Sequence, residues 1–317
     1  MTLQRKDVLG LEDLSAEEIL GVLDIANRFR AVFDRPVRSV PIMRGRTVVN
    51  FFHEPSTRTR ISFELAEKRL SADIVNFSTV DSSFKKGETL RDTAENLAAM
   101  KIDMLVIRHS SSGAARYLAE VLACSVINAG DGAHEHPTQG LLDIMTMRQR
   151  LGDLRGRKVT IIGDIAHSRV ARSNIWGLTK LGAEVTLCGP PTMVPGALAK
   201  LGEHVKVEHD LKRAVADADV LNVLRIQLER GAGKAFPGNR EYHRMYGITG
   251  DVVRGLKPEA FIMHPGPMNR DVEIASEVAD GPRQVILDQV ANGVAVRMAL
   301  IYLLSGGDPG ALAGGAQ

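Results

Sequence analysis

Cysteine is almost missing from this chain. Cys124 and Cys188 are the two it has, each in an apolar run (Val121-Leu122-Ala123-Cys124 and Val185-Thr186-Leu187-Cys188). Two isolated thiols make neither a disulfide framework nor a zinc site, so both are expected to be buried and reduced. An excess of one charge is missing too. The formal net charge of +2 gives no global field to draw nucleic acid or a membrane surface. Met1 to Asp13 lacks the apolar core of a signal peptide, and no run reaches membrane-spanning length. The expectation is a cytoplasmic protein with no nucleic-acid or membrane partner. Familiar catalytic signatures are absent as well. No glycine-lysine phosphate loop is present, which argues against a nucleotide kinase. No Ser or Cys stands in a nucleophile elbow. Gly163-Asp164-Ile165-Ala166 lacks the second and third glycines that admit a pyrophosphate, so a nicotinamide cofactor is not expected. No short-period repeat is visible.

What the chain does have is alternation. At 317 residues it is long enough for two domains with their own cores. Apolar β-prone runs at Val48–Phe52, Ile74–Ser78, Met104–Ile107 and Val126–Ile127 alternate with segments of helical period. The pattern resumes at Val159–Ile162, Glu184–Leu187, Val205–Val207, Val220–Leu224 and Ala260–Met263. Strand–helix alternation predicts an α/β fold of two doubly wound parallel-sheet domains, with ligands bound beyond the carboxyl ends of the strands. We divide the chain into residues 1–135, residues 136–289, a helix over 290–304 packing back on the first domain, and a flexible tail over 305–317. The active-site cleft is expected between the two domains. Before the first strand, Ser15 and Glu18 form a capping box for a helix over residues 14–33.

The most informative stretch is Val48 to Arg60. A buried strand stops at Pro55, and a helix opens on Ser56-Thr57-Arg58-Thr59-Arg60. A helix start carries unpaired N–H groups and a partial positive charge. Hydroxyls and guanidiniums added there make a site for a compact dianion, most simply a phosphate. Other strand ends carry equally unusual groups: Arg108-His109 after one, His136-Pro137-Thr138-Gln139 after another. His136, before a proline at a helix start, is placed to donate to a carbonyl oxygen. His134 and His136 flank Glu135, yet no third ligand stands at suitable spacing, so no metal is expected. In the second half, Arg169, Arg225 and Gln227 each follow a strand, and guanidiniums there suit a substrate bearing carboxylates. His264-Pro265-Gly266-Pro267 ends the last strand in a constrained turn that admits a cis Gly266–Pro267 bond. The polar loops over residues 81–88 and 231–240 have no apolar period. Ser82, Lys85 and Lys86 in the first suit a lid over a phosphate.

Taken together, these motifs resemble the aspartate and ornithine carbamoyltransferase family, over nearly the whole chain from about Leu11 to Leu304. Ser56 to Arg60, Arg108-His109 and His136 to Gln139 look like its carbamoyl phosphate signature. Arg169, the Arg225-x-Gln227 pair and His264 to Pro267 look like the branch that uses aspartate. The ornithine branch would show an Asp-x-x-x-Ser-Met-Gly loop and a His-Cys-Leu-Pro turn, and neither is here. Two rivals stand beside this reading: a transferase for another amine such as ornithine, and a catalytically silent relative, which would lack site residues.

The resemblance implies transfer of a carbamoyl group from carbamoyl phosphate to L-aspartate, the committed step towards pyrimidines, with no cofactor. It implies a homotrimer with active sites shared at the subunit junctions, alone or in a larger assembly with regulatory chains or dihydroorotase. Ser56, Thr57, Arg58, Thr59, Arg108 and, from a neighbouring chain, Ser82 and Lys86 would then hold the phosphate. Lys86 is favoured over Lys85 because it keeps the family's Ser-x-x-x-Lys-Gly spacing. Thr59, Arg108 and His136 would polarise the carbonyl. Gln139 and the carbonyls of Pro265 and Gly266 would hold the carbamoyl amino group. Arg169, Arg225 and Gln227 would hold the aspartate, with Lys86, Gly266 and Pro267 at the same subsite. Well-known relatives carry a hydrophobic residue where Gly266 stands, so only backbone contacts carry over there.

Overall fold

Ser15 opens the first helix as the sequence predicts. Its hydroxyl accepts from Glu18 N at 3.2 Å while the Glu18 carboxylate accepts from Ser15 N at 2.8 Å. A reciprocal cap of this kind contributes about 1 kcal/mol. The computed structural model describes residues 3–78, 89–226, 237–308 and 310, and these form two compact units. The first unit runs to Leu142 and resumes at Ala291; the second covers Asp143–Val290.

The first unit begins with α1 (Ala16–Val32). It continues through β1 (Thr47–Phe52), α2 (Thr57–Leu70), β2 (Asp73–Ser78), α3 (Leu90–Ala99), β3 (Met104–His109), α4 (Ala114–Val121) and β4 (Ser125–Asp131). All pairings in its sheet are parallel, in the order β2-β1-β3-β4. Both faces must therefore be covered, and the strands are apolar runs rather than alternating ones. β1 is buried from Val48 to Phe52, and β3 from Met104 to Ile107. The chain leaves β1 towards β2 on one side and leaves β3 towards β4 on the other. The sheet thus has its switch point between β1 and β3, where a crevice opens at the carboxyl ends.

Helix α5 (Pro137–Leu151) starts at Pro137, because proline suits the first helical position. The division between the two units falls inside this helix. The second unit comprises β5 (Lys158–Ile162), α6 (Arg169–Lys180), β6 (Glu184–Cys188), β7 (Val205–Glu208), α7 (Leu211–Val215), β8 (Val220–Val223), α8 (Asn239–Tyr246), α9 (Gly250–Arg254), β9 (Phe261–Met263) and α10 (Ser276–Ala279). Its sheet is again wholly parallel, in the order β7-β6-β5-β8-β9. The same reasoning puts its switch point between β5 and β8. Gly163, just past β5 at φ +135, lets the two connections approach: a Cβ there would stand 3.0 Å from Leu224 Cβ.

The chain ends in α11 (Ile286–Leu304), which begins four residues ahead of the expected Val290 (286 against 290). Within the first unit, Tyr302 packs edge-on against Phe29 of α1 with centroids 5.7 Å apart. Contrary to the expectation that no run reaches spanning length, α11 is long and apolar enough to do so by length and composition. Of that window 72% is buried inside the protein, so its apolarity answers to packing. Cys188 is buried as expected, whereas Cys124 is only partly so; neither forms a disulfide. Burial pushes the Cys188 thiol up to about 12.

Candidate active site

The β1–β3 switch point is where the first half-site is built. Ser56 is the N-cap of α2 in extended conformation, but its hydroxyl makes no capping bond to the helix backbone and donates to Thr59 Oγ1 at 3.0 Å. The opening turn of α2 contains no acidic residue. A helix start with hydroxyls, Arg58 and no carboxylate suits an anion better than ordinary capping. Thr57 and Arg58 are exposed and Thr59 is buried. Arg60 departs from the expected cluster, because it pairs along the helix with Glu64 at 3.4 Å.

Arg108 stands at the end of β3, half-buried. It donates through Nη2 to Glu54 Oε1 at 2.7 Å and through Nη1 to the Ala129 carbonyl at 3.3 Å. Its own carbonyl accepts from His53 N at 2.9 Å and Glu54 N at 3.2 Å, which ties the turn after β1 to β3. His53 stacks on His109 with centroids 4.3 Å apart. Burial and then the His53 charge push the His109 imidazole below its ordinary range. His136 is buried immediately before α5, with Nδ1 3.5 Å from Thr138 Oγ1, and Gln139 follows half-buried in the first turn of that helix. Glu54 was not singled out from sequence, although it lies inside the stretch that was.

His134, Glu135 and Glu12 bring ligand atoms within 4.8 Å of one another, so Glu12 supplies the third group that local spacing did not. Those groups already have structural work. Glu135 accepts from Leu11 N and Glu12 N at 2.8 and 3.0 Å, and His134 Nδ1 lies 3.2 Å from Asp131. They fasten the amino-terminal segment to the end of β4.

The second half-site sits at the β5–β8 switch point. Arg169 is 5% exposed and begins α6, behind Ser168, whose hydroxyl accepts from Ala171 N at 3.1 Å. Arg225 is half-buried just past β8. After β9, the Gly266–Pro267 bond is cis, with Pro265 and Gly266 half-buried and Pro267 exposed. His264 fixes this turn: its Nδ1 accepts from Gly266 N at 2.8 Å, so Nε2 carries the proton towards Glu273 Oε1 at 3.2 Å. Glu273 is wholly buried and also accepts from Asn269 Nδ2 at 3.2 Å and Ile226 N at 3.5 Å. It thereby joins the turn after β9 to the residue that follows Arg225. No local pattern marked Glu273 in the sequence. Ser82, Lys85, Lys86 and Gln227 lie outside the described residues.

Known proteins match this arrangement along its length. Residues 6–149 fit the aspartate/ornithine carbamoyltransferase carbamoyl-P binding domain, and residues 155–304 fit the Asp/Orn binding domain of the same family. The aspartate carbamoyltransferase catalytic subunit of Gemmatimonas aurantiaca is 60% identical over 304 residues, 96% of this chain and 95% of the relative. That of Syntrophotalea carbinolica is 59% identical over 308 residues, 97% of this chain and 98% of the relative. Among solved structures, Pyrococcus furiosus ornithine carbamoyltransferase superposes with a TM-score of 0.86 at 30% identity, covering 97% of this chain and 99% of that one. Trypanosoma cruzi aspartate transcarbamoylase, solved with carbamoyl phosphate and aspartate, gives 0.84 at 29% identity over 93% of this chain and 95% of its own.

Proposed function

The chain belongs to the aspartate/ornithine carbamoyltransferase family, and on that premise we infer that it transfers the carbamoyl group of carbamoyl phosphate to the amino group of L-aspartate. The products are N-carbamoyl-L-aspartate and phosphate, and the step commits material to pyrimidines. Fold alone does not choose the acceptor, since enzymes of both branches superpose well. Sequence does: relatives about twice as similar by identity carry the aspartate activity in their names. The observation that carries the donor side is the first turn of α2, which Ser56 leaves uncapped, together with Arg108 at the end of β3. On the acceptor side it is Arg169, a buried cation at the start of α6.

We assign carbamoyl phosphate to the first unit and L-aspartate to the second. Ser56, Thr57, Arg58, Thr59 and Arg108 hold the phosphate and neutralise charge as it departs, aided by Ser82 and Lys86 of a neighbouring chain. Thr59, Arg108 and His136 donate to the carbonyl oxygen as it becomes an oxyanion. Losing one such donor typically costs about a hundredfold or more in rate. Gln139 and the carbonyls of Pro265 and Gly266 hold the carbamoyl amino group. Arg169, Arg225 and Gln227 take the two carboxylates of aspartate, with Lys86, Gly266 and Pro267 completing the subsite. The amine lone pair forms the new C–N bond, the C–O bond to phosphate breaks, and the departing phosphate takes the amine's proton. Holding both reactants in place supplies much of the acceleration. The working form is a cytoplasmic homotrimer with sites shared between chains.

Turnover with carbamoyl phosphate and either L-aspartate or L-ornithine tests the assignment. Product is expected with L-aspartate alone; ornithine turnover at a comparable rate would move the chain to the other branch.

A further inference from the structure

Arg297 is the one charged residue in an otherwise apolar stretch of α11, and it is 3% exposed. Its Nη1 donates to Ser62 Oγ at 2.8 Å and its Nη2 to Thr138 Oγ1 at 3.2 Å. The guanidinium lies over the Phe63 ring, 5.0 Å from its centroid. Gly293, one turn earlier, leaves the room: a Cβ there would stand 2.7 Å from Arg297 Nη1. Ser62 belongs to α2 just past the phosphate-binding turn, and Thr138 belongs to the first turn of α5, beside His136. One buried side chain thus grips both helices that open onto the donor half-site.

All of these partners are neutral. Among the described residues no carboxylate forms an ion pair with Arg297, and the charge that acts on it is another cation, Arg108. Burial first, and Arg108 second, push the guanidinium down to about 9. A buried cation normally has an anion beside it, because desolvation without a counter-charge is costly. In a low-dielectric interior its field also reaches further than a surface charge's would.

We propose that Arg297 is a positioning residue of the donor half-site, a buried charge behind Arg108 whose counter-ion is the bound phosphate group. It contributes attraction without touching the ligand, and the chain tolerates the uncompensated charge until the ligand arrives. The proposal rests on the reading of the first turn of α2 as the phosphate site.

Inorganic phosphate titrated into the full-length protein is the test, with Arg297→Met and Arg297→Lys as variants. Arg297→Met should bind phosphate at least about tenfold more weakly, while Arg297→Lys stays within about threefold of wild type. The loss should persist from about 0.05 to 0.5 M salt, since a buried charge is poorly screened. The unliganded Tm of Arg297→Met should equal or exceed that of wild type, because a buried charge without a counter-ion is removed. Should Arg297→Met fail to fold, Arg297→Gln takes its place with the same expectations. Phosphate affinity within threefold of wild type in the neutral variant, or a loss as large in Arg297→Lys, overturns the proposal. Arg58→Ala separates the two readings: if it binds phosphate normally, the site itself is misplaced.

Discussion

The Arg108 guanidinium donates to the Glu54 carboxylate at 2.7 Å, with side chains only 11% and 13% exposed. A carboxylate beside an anion site works against the anion, so its value lies in aiming the guanidinium. Glu54→Gln should lower kcat by about tenfold or more through misplacement of Arg108. Phosphate affinity should hold or tighten, because a repelling charge is gone. Steady-state rates and a phosphate titration check both; weakened phosphate binding with normal kcat would contradict this.

Glu67 governs a pH dependence of stability. It is wholly buried on α2, with Oε2 accepting from Asn50 Nδ2 at 2.8 Å, while Glu67 Oε1 and Asn50 Oδ1 have no hydrogen-bond partner. Both orphans are acceptors, so a proton on Oε1 supplies the donor they lack. Burial, against the Asn50 bond and with Glu64 nearby, raises this carboxyl from 4.5 to about 8. Its stabilising protonated form is fully present below about 4.5 in both states, and the contribution is lost as pH climbs from there through about 8. Glu67→Gln carries a permanent donor. Its Tm should therefore match wild type near pH 5 and exceed it increasingly towards pH 9. Parallel Tm–pH curves would count against this account.

Glu273 should separate the two substrates kinetically. Glu273→Gln replaces one of two acceptor oxygens with a donor, which then faces either His264 at Oε1 or Asn269 and Ile226 at Oε2. The expected cost is about 1–3 kcal/mol in stability, roughly 2–4 °C of Tm per kcal/mol at this size. KM for L-aspartate should rise more than KM for carbamoyl phosphate. An unchanged aspartate KM would show that the turn after β9 does not shape the acceptor subsite.

Shared sites are tested by mixing. Arg58→Ala and Lys86→Ala are each expected to be inactive alone. Subunit exchange between them should restore some activity, because a junction with both wild-type contributions then forms. No recovery after verified exchange would place each site within one chain.

Much of this was legible in the sequence because strand–helix alternation and strand-end polarity are local signals. Ser56 to Arg60, Arg108 and Arg169 could be placed at strand ends or helix starts from neighbours alone. Arg297 stands out as well, as the single charge between Val290 and Leu304. The partners were harder. Glu54 acts on a residue two strands' worth of chain away, and Glu273 acts on His264 through a reversal that no period encodes. The start of α11 lies ahead of its apolar pattern because packing and capping, not periodicity, set helix ends.

One titration bears on everything above. A bisubstrate analogue joining a phosphonate to L-aspartate should bind one per chain, and Arg58→Ala and Arg225→Ala should each weaken it by about a hundredfold or more. A single ligand that needs both guanidiniums is what the account predicts. Unchanged affinity in either variant would mean that these half-sites do not serve one reaction.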